Sequence, residues 1–249
     1  MRRDTEFYAA LPKKITASKL KVLYLLHGGG DDESKWFRRV PIERILNGSQ
    51  TIVIMPDGGL SYYHNTVSGE AYWTYLSQEL PKVVKTYLPI SDKRKDTFAA
   101  GSSMGGYGAL RLALKYPLSF QAAACFSGSI DMVREIALVR SDSKERDEYL
   151  SGYEMDETFY TSIFDDIDHL ENSDADLFYL FQQYNGRSQI LPKIYQCCGR
   201  QDFLYKFNLD LKKAMENICV DLTYEEWDGR HDWDFWEEAF RRSILWFGL

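Results

Sequence analysis

A chain of 249 residues, 45% hydrophobic and 27% charged, has the size and composition of one large domain with an ordinary core. Its formal net charge of −7 and pI near 5.2 exclude a nucleic-acid partner, which would call for clustered Lys and Arg. No apolar run approaches the ~18 residues that cross a bilayer, no apolar segment follows the charged start Met1-Arg2-Arg3-Asp4, and four cysteines are too few for a disulfide framework, so a cytoplasmic protein with no membrane partner is expected.

In chain order, Thr5 to Leu11 alternates weakly and ends at Pro12, the pattern of an edge strand. Lys21-Val22-Leu23-Tyr24-Leu25-Leu26 is a continuous apolar run, as in a strand covered on both faces, and it ends at His27-Gly28-Gly29-Gly30. Pro41 to Leu46 predicts a short helix. Thr51 to Met55 predicts a second buried strand, followed by Pro56-Asp57-Gly58-Gly59 and the aromatic loop Tyr62-Tyr63-His64-Asn65. Glu70 to Leu88 reads as a helix that Pro81 must kink or divide. Asp96 to Ala100 is a short buried strand, and Ala109 to Leu114 has the spacing of a helix packed on a sheet. After Pro117, Gln121 to Phe126 is the next strand.

The stretch from Asp131 to Leu191 breaks this rhythm. It has helical pieces, no clear strand, and 15 acidic against 5 basic residues, and it reads as an insertion rather than a separate domain. Lys193 to Cys198 resumes the strand series, followed by a helix from Phe203 to Asn217 and a last strand from Val220 to Glu226. A terminal helix from Trp233 to Trp246 carries Trp233, Trp236, Phe240 and Ile244 on one face. The alternation predicts an α/β fold, a single domain over 1–249 with a mostly parallel sheet, helices on both faces, and the insertion at about 131–191.

Between the strand at Asp96–Ala100 and the helix that follows lies Gly101-Ser102-Ser103-Met104-Gly105, the G-x-S-x-G pattern of a nucleophile elbow. So tight a turn from strand to helix leaves no room for a side chain two residues either side of the serine. Only Ser103 has glycine at both places; Ser102 would have Ala100 and Met104. A bland glycine-serine turn is the alternative, and the strand before and helix after argue against it. A serine hydroxyl needs a base within hydrogen-bond reach, usually a histidine that a carboxylate orients. Of the four histidines, His231 follows the last strand, at the sheet edge that also carries Ser103. Asp202 follows the strand ending at Cys198 and falls between serine and histidine in the chain, the order Ser…Asp…His. Asp228 and Asp232 flank the histidine, where loop neighbours rarely face one another, and Asp174 and Asp176 sit among surface charges.

A tetrahedral oxyanion needs preorganised donors, each worth roughly 3 kcal/mol of transition-state stabilisation. The Met104 amide is one candidate, and Gly29, in the glycine-rich turn after the first buried strand, is chosen over Gly28 for the other. No His, Cys or carboxylate group has metal-ligand spacing, and Gly101 to Gly106 lacks the Gly-Lys-Ser/Thr ending of a P-loop, so no metal and no cofactor is expected.

His27-Gly28-Gly29-Gly30, Gly101 to Leu110, Gly199 to Asp202 and Gly229-Arg230-His231-Asp232-Trp233 together resemble the esterase D-like branch of the α/β-hydrolases, with its S-formylglutathione hydrolases, tributyrin esterases and feruloyl esterases. The resemblance runs from about Val22 to Phe247 outside the insertion. It implies an α/β-hydrolase fold with a helical cap, a triad at Ser103, Asp202 and His231, and an oxyanion hole at Gly29 and Met104. Asp31 stands where many S-formylglutathione hydrolases carry a cysteine, and the family's first antiparallel edge strand is expected to be missing or shortened. The function expected is a serine carboxylesterase acting on short-chain or aryl esters through an acyl-enzyme. S-formylglutathione hydrolase is the enzymatic alternative, acyl transfer to another alcohol comes next, and a binding module on the same fold is the non-enzymatic one. The partners expected are a small-molecule ester and, at most, further copies of the chain as a homo-oligomer.

Overall fold

The continuous apolar runs become the middle of one seven-stranded sheet. A computed structural model describes residues 4–152 and 155–249. The strands are β1 (Phe7–Ala10), β2 (Lys21–Leu26), β3 (Thr51–Pro56), β4 (Thr97–Ser102), β5 (Ala122–Phe126), β6 (Lys193–Gly199) and β7 (Leu222–Trp227). Their order is β1-β3-β2-β4-β5-β6-β7, with β1 antiparallel to β3 and every other pair parallel. The antiparallel edge strand is therefore present, four residues long.

Residues alternate between the two faces of each strand, and the two faces are covered by different helices. Leu23, Leu25, Val53, Met55, Phe98, Ala100, Ala124, Phe126, Tyr195 and Cys197 pack with α1 (Lys35–Arg39), α2 (Ile42–Ile45) and the terminal helix, whose contacts include Phe235, Trp236, Phe240 and Ile244. Val22, Tyr24, Leu26, Ile52, Ile54, Ala99, Ala123, Cys125 and Ile194 face the other way. There they meet α4 (Leu80–Tyr87), α5 (Met104–Lys115) and α10 (Tyr205–Asn217). The helix α1 carried no periodic signal in its five residues. It is fixed by Trp36, fully buried, whose Nε1–H donates to the Leu26 carbonyl at 2.9 Å.

The stretch 70–88 differs from a single kinked helix. A short turn of helix, α3 (Tyr72–Thr74), runs into a wide π-helical turn over Tyr75–Glu79 before α4 begins. Pro81 lies in the first turn of α4, where its missing N–H costs nothing, and the widened turn relieves the clash its ring would make with the carbonyl four residues back.

Between β5 and β6 come α6 (Met132–Arg140), α7 (Lys144–Gly152), α8 (Glu157–Ile163) and α9 (Leu177–Gln182), with no strand among the described residues. Tyr160, Phe164 and Phe181 are buried in the same core as α5, and Phe159, Phe178 and Tyr179 are packed against it. Several of the segment's acids do local work. Asp131, Asp156 and Asp176 each cap a helix N-terminus by accepting from a backbone N–H three residues on. Asp165, Asp166, Asp168 and Glu171 are exposed.

The chain steps from β2 outward to β3 and then crosses back to β4, so the strand order reverses between β2 and β4. A crevice opens outside the carboxyl ends of strands at such a switch point, and both the turn 27–30 and Ser103 leave the sheet there. Among the described residues, no helix is long and apolar enough to cross a membrane. The terminal helix, α11 (Trp233–Phe247), anchors one face through Phe240, which is fully buried against Trp36. Phe240→Ala is expected to cost about 3–5 kcal/mol of stability, read as a lower urea midpoint at unchanged slope.

Candidate active site

Ser103 leaves β4 at φ 54° and ψ −121°, a backbone region that non-glycine residues rarely adopt. Sterics explain the flanking glycines. A Cβ on Gly101 would lie within 2.4 Å of the Gly105 carbonyl, and one on Gly105 within 2.3 Å of the Leu26 oxygen. The strained residue is held on both sides of its peptide: its N–H donates to Phe126 O at 2.9 Å, and its carbonyl accepts from Tyr107 N and Ser129 N, each at 3.2 Å.

His231 Nε2 lies 2.9 Å from Ser103 Oγ, and its Nδ1 lies 2.9 Å and 3.1 Å from the two oxygens of Asp202. A carboxylate can only accept, so Nδ1 carries the proton and Nε2 is left to accept from the serine. Asp202 is buried, and its Oδ1 also accepts from Leu204 N at 2.8 Å. The imidazole is seated by Phe203 at 4.6 Å and Trp236 at 5.0 Å between ring centres. The two loops that bring Asp202 and His231 together touch backbone to backbone. Gln201 N–H donates to Gly229 O, Gly229 N–H donates to Gln201 Oε1, and a Cβ on Gly199 would lie 2.3 Å from Gly229 O.

The competing groups are engaged elsewhere. Asp232 caps the terminal helix, Asp228 pairs with Arg200, Asp174 pairs with Lys115, and Asp176 caps α9. His64 is buried against the Tyr107 hydroxyl at 2.7 Å, and His169 is exposed beside Asp166.

On the other side of Ser103 lies the glycine-rich turn. A Cβ on Gly28 would be 3.5 Å from Ser103 Cβ, and Gly29 follows, half-buried. Met104 is the first residue of α5, so its N–H has no acceptor within the helix. His27 fixes the turn: Nδ1–H donates to Gly28 O at 2.8 Å and Nε2 accepts from Gly58 N at 2.9 Å. Burial lowers its pKa, which suits the neutral ring that this pairing requires. Tyr62 and Tyr63, both at positive φ, complete the wall, with Tyr62 N–H on Met104 Sδ and Tyr63 O–H on His27 O. A cleft of about 500 Å³ opens beside the imidazole, lined by Asp202, Phe203, His231, Arg230, Tyr149 and Phe207 among others. Among the described residues no group of three or more His, Cys, Asp or Glu could hold a metal ion.

Reading the sequence missed Glu135. It is a fully buried carboxyl on α6, among the hydroxyls of Ser129, Tyr149 and Tyr160. Burial pushes its pKa up to about 7, with a smaller push from Asp131 and against the pull of the three hydroxyls. Nothing in its spacing separates it from the other acids of a segment rich in them.

Similarity to known proteins runs along the whole chain. The Esterase family model matches residues 1–247. An acetyl esterase of Caldicellulosiruptor saccharolyticus is 33% identical over 99% of this chain and 93% of its own. A fluorophosphonate-binding serine hydrolase of Staphylococcus aureus, FphF, superposes with a TM-score of 0.83 at 28% identity, over 98% of both chains. An S-formylglutathione hydrolase of Staphylococcus aureus superposes with a TM-score of 0.82 at 31% identity, over 98% of this chain and 92% of that one.

Two outcomes follow from the site's construction. Gly105→Ala is expected to abolish ester hydrolysis, because its Cβ meets Leu26 backbone that has no room to give; parental activity in this variant would contradict the elbow geometry. The raised pKa of Glu135 gives a pH dependence of fixed sign. The folded chain holds this proton more tightly than the unfolded one, so the stabilisation is complete below about 4.3 and is lost as pH rises through about 7. Relative to Glu135→Gln, the parent should be more stable at pH 5 than at pH 8, as read by urea midpoints at the two pH values.

Proposed function

The chain belongs to the Esterase family and is a serine carboxylesterase, and on that premise we propose that Ser103, Asp202 and His231 are its catalytic triad and that the amides of Gly29 and Met104 form its oxyanion hole. The observation that carries this reading is the unbroken hydrogen-bond line from Asp202 through His231 to Ser103 Oγ. Ser103 Oγ attacks the ester carbonyl carbon while its proton passes to His231 Nε2. The tetrahedral oxyanion develops toward the two amides, the second at the N-terminus of α5, where the helix dipole favours negative charge. Collapse breaks the bond to the alkoxy oxygen, which takes the proton from His231, and leaves an acyl-serine. Water then repeats the sequence, with His231 again as base and then as acid. Asp202 holds the imidazole in the tautomer this requires and stabilises the imidazolium.

The substrate class proposed is a short-chain ester, acetyl first, or an aryl ester. The acetyl esterase relative supports the acyl part of this proposal. Hydrolysis of S-formylglutathione is the second reading, favoured by the Staphylococcus aureus structure. Against it stands Asp31, which is ion-paired to Lys35 at 2.7 Å and offers no thiol at that turn. A single domain over 1–249 with residues 131–191 as a cap is part of the same proposal. A cytoplasmic location is also part of it, supported by four cysteines that are all free.

Ser103→Ala and His231→Ala are each expected to lower kcat on p-nitrophenyl acetate by about 10⁴-fold or more at an unchanged far-UV spectrum, since triad members act as a unit. A brief reaction with the same ester, quenched in acid, should leave acetyl on the peptide containing Ser103. Near-parental turnover in either variant overturns the assignment. Faster hydrolysis of S-formylglutathione than of any acetyl ester would favour the second reading.

A further inference from the structure

Glu135 takes no part in the triad, yet its carboxyl gathers side chains from three separate places. It projects from α6 and accepts from Ser129, in the segment after β5, at 2.6 and 2.9 Å. Tyr149 of α7 donates to it at 2.8 Å. Tyr160 of α8 lies 3.3 Å from the same oxygen and 3.0 Å from the Tyr149 hydroxyl. Ser129 gives its one proton to Glu135 and so accepts from Tyr62 O–H, 2.8 Å away, in the loop after β3. A carboxylate has about four acceptor sites on two oxygens, enough to hold converging hydroxyls in fixed directions.

Both ends of this cluster reach the site. At one end Ser129 N–H donates to the carbonyl of Ser103. At the other, the Tyr149 ring meets Phe203 edge-on at 5.8 Å, and Phe203 packs on the His231 imidazole at 4.6 Å. Tyr149, Phe203, Asp202 and His231 all line the cleft on the flank of the imidazole. We propose that Glu135 is a positioning residue: it fixes the Tyr149 ring as a wall of the substrate cleft, and so sets substrate affinity rather than the rate of the chemical step. The inference rests on the serine-esterase reading of Ser103. The effect falls on affinity because His231 keeps its bonds to Asp202 and Ser103 through the contact between the loops at Gly199 and Gly229, to which Glu135 contributes nothing. A Tyr hydroxyl held at its donor proton cannot let its ring slide away from Phe203.

The test uses Glu135→Gln, Tyr149→Phe and the double variant of the full chain. Readouts are KM and kcat on p-nitrophenyl butyrate, the rate of labelling by a small fluorophosphonate, and the melting temperature. Each single variant is expected to raise KM at least fivefold with kcat within twofold and labelling unchanged. The double variant should be no worse than the weaker single, because both remove the same link. KM within twofold of the parent in both singles overturns the inference, as do losses that multiply in the double variant or a loss confined to kcat. Where Glu135→Gln does not fold, Tyr149→Phe, which removes a single oxygen, decides by the same criteria. A parent that the fluorophosphonate leaves unlabelled overturns the serine-esterase reading itself, whereas a labelled parent with unchanged KM in the variants overturns the positioning role alone.

Discussion

The constraint on which the site depends is the approach of the strand–helix turn to the end of β2. Leu26 O lies so near Gly101 and Gly105 that any side chain there would collide with backbone. That contact fixes where α5 starts, and hence where Ser103 and the Met104 amide point. It also sets the neighbouring turn, because the residues after Leu26 are the ones that reach Ser103. The strain in Ser103, on the order of 1–3 kcal/mol, is borne by three backbone hydrogen bonds to residues from β5, α5 and the segment after β5. Removing a neighbour of the elbow therefore affects a residue already held away from its preferred conformation.

Around this point the fold uses two kinds of support. Backbone groups hold Ser103 and the turns around it: Phe126 O on Ser103, Gly229 O on Gln201, Gly58 N–H on His27. Side-chain hydroxyls and rings hold the walls, with the buried Tyr62, Tyr149 and Tyr160 oriented by hydrogen bonds. Backbone positions tolerate few substitutions. Walls built of side chains can be exchanged one at a time, so specificity can drift while the chemistry stays.

Most of the frame was legible in the sequence because its signals are local. Lys21–Leu26 and Thr51–Met55 are apolar throughout, as strands buried on both faces must be, and the glycines around Ser103 are demanded by sterics that act within five residues. Asp202 and His231 were legible through their positions after strands, and the structure sets His231 against Ser103 and Asp202 against the far side of His231. What was not legible depends on distant partners. The five-residue helix at Trp36 exists because an indole finds the Leu26 carbonyl, and the wide turn over Tyr75–Glu79 exists because Pro81 follows it. Glu135 looks like any acid in its segment until α7 and α8 fold over it. The acidic excess of that segment serves in part as helix caps.

The proposed triad is assembled from parts of unequal rigidity. Ser103 follows β4, a central strand whose residues are buried apart from Thr97 at its start. His231 follows β7, an edge strand in which every residue is only half-buried. Opening of a sheet begins at such an edge, where one flank lacks a partner strand and fewer apolar contacts must be given up. A fluctuation that frees β7 and its following loop takes His231 with it and leaves Ser103 and its turn in place. The protein so opened keeps most of its fold and its serine, and reversibly loses the imidazole hydrogen-bonded to that serine.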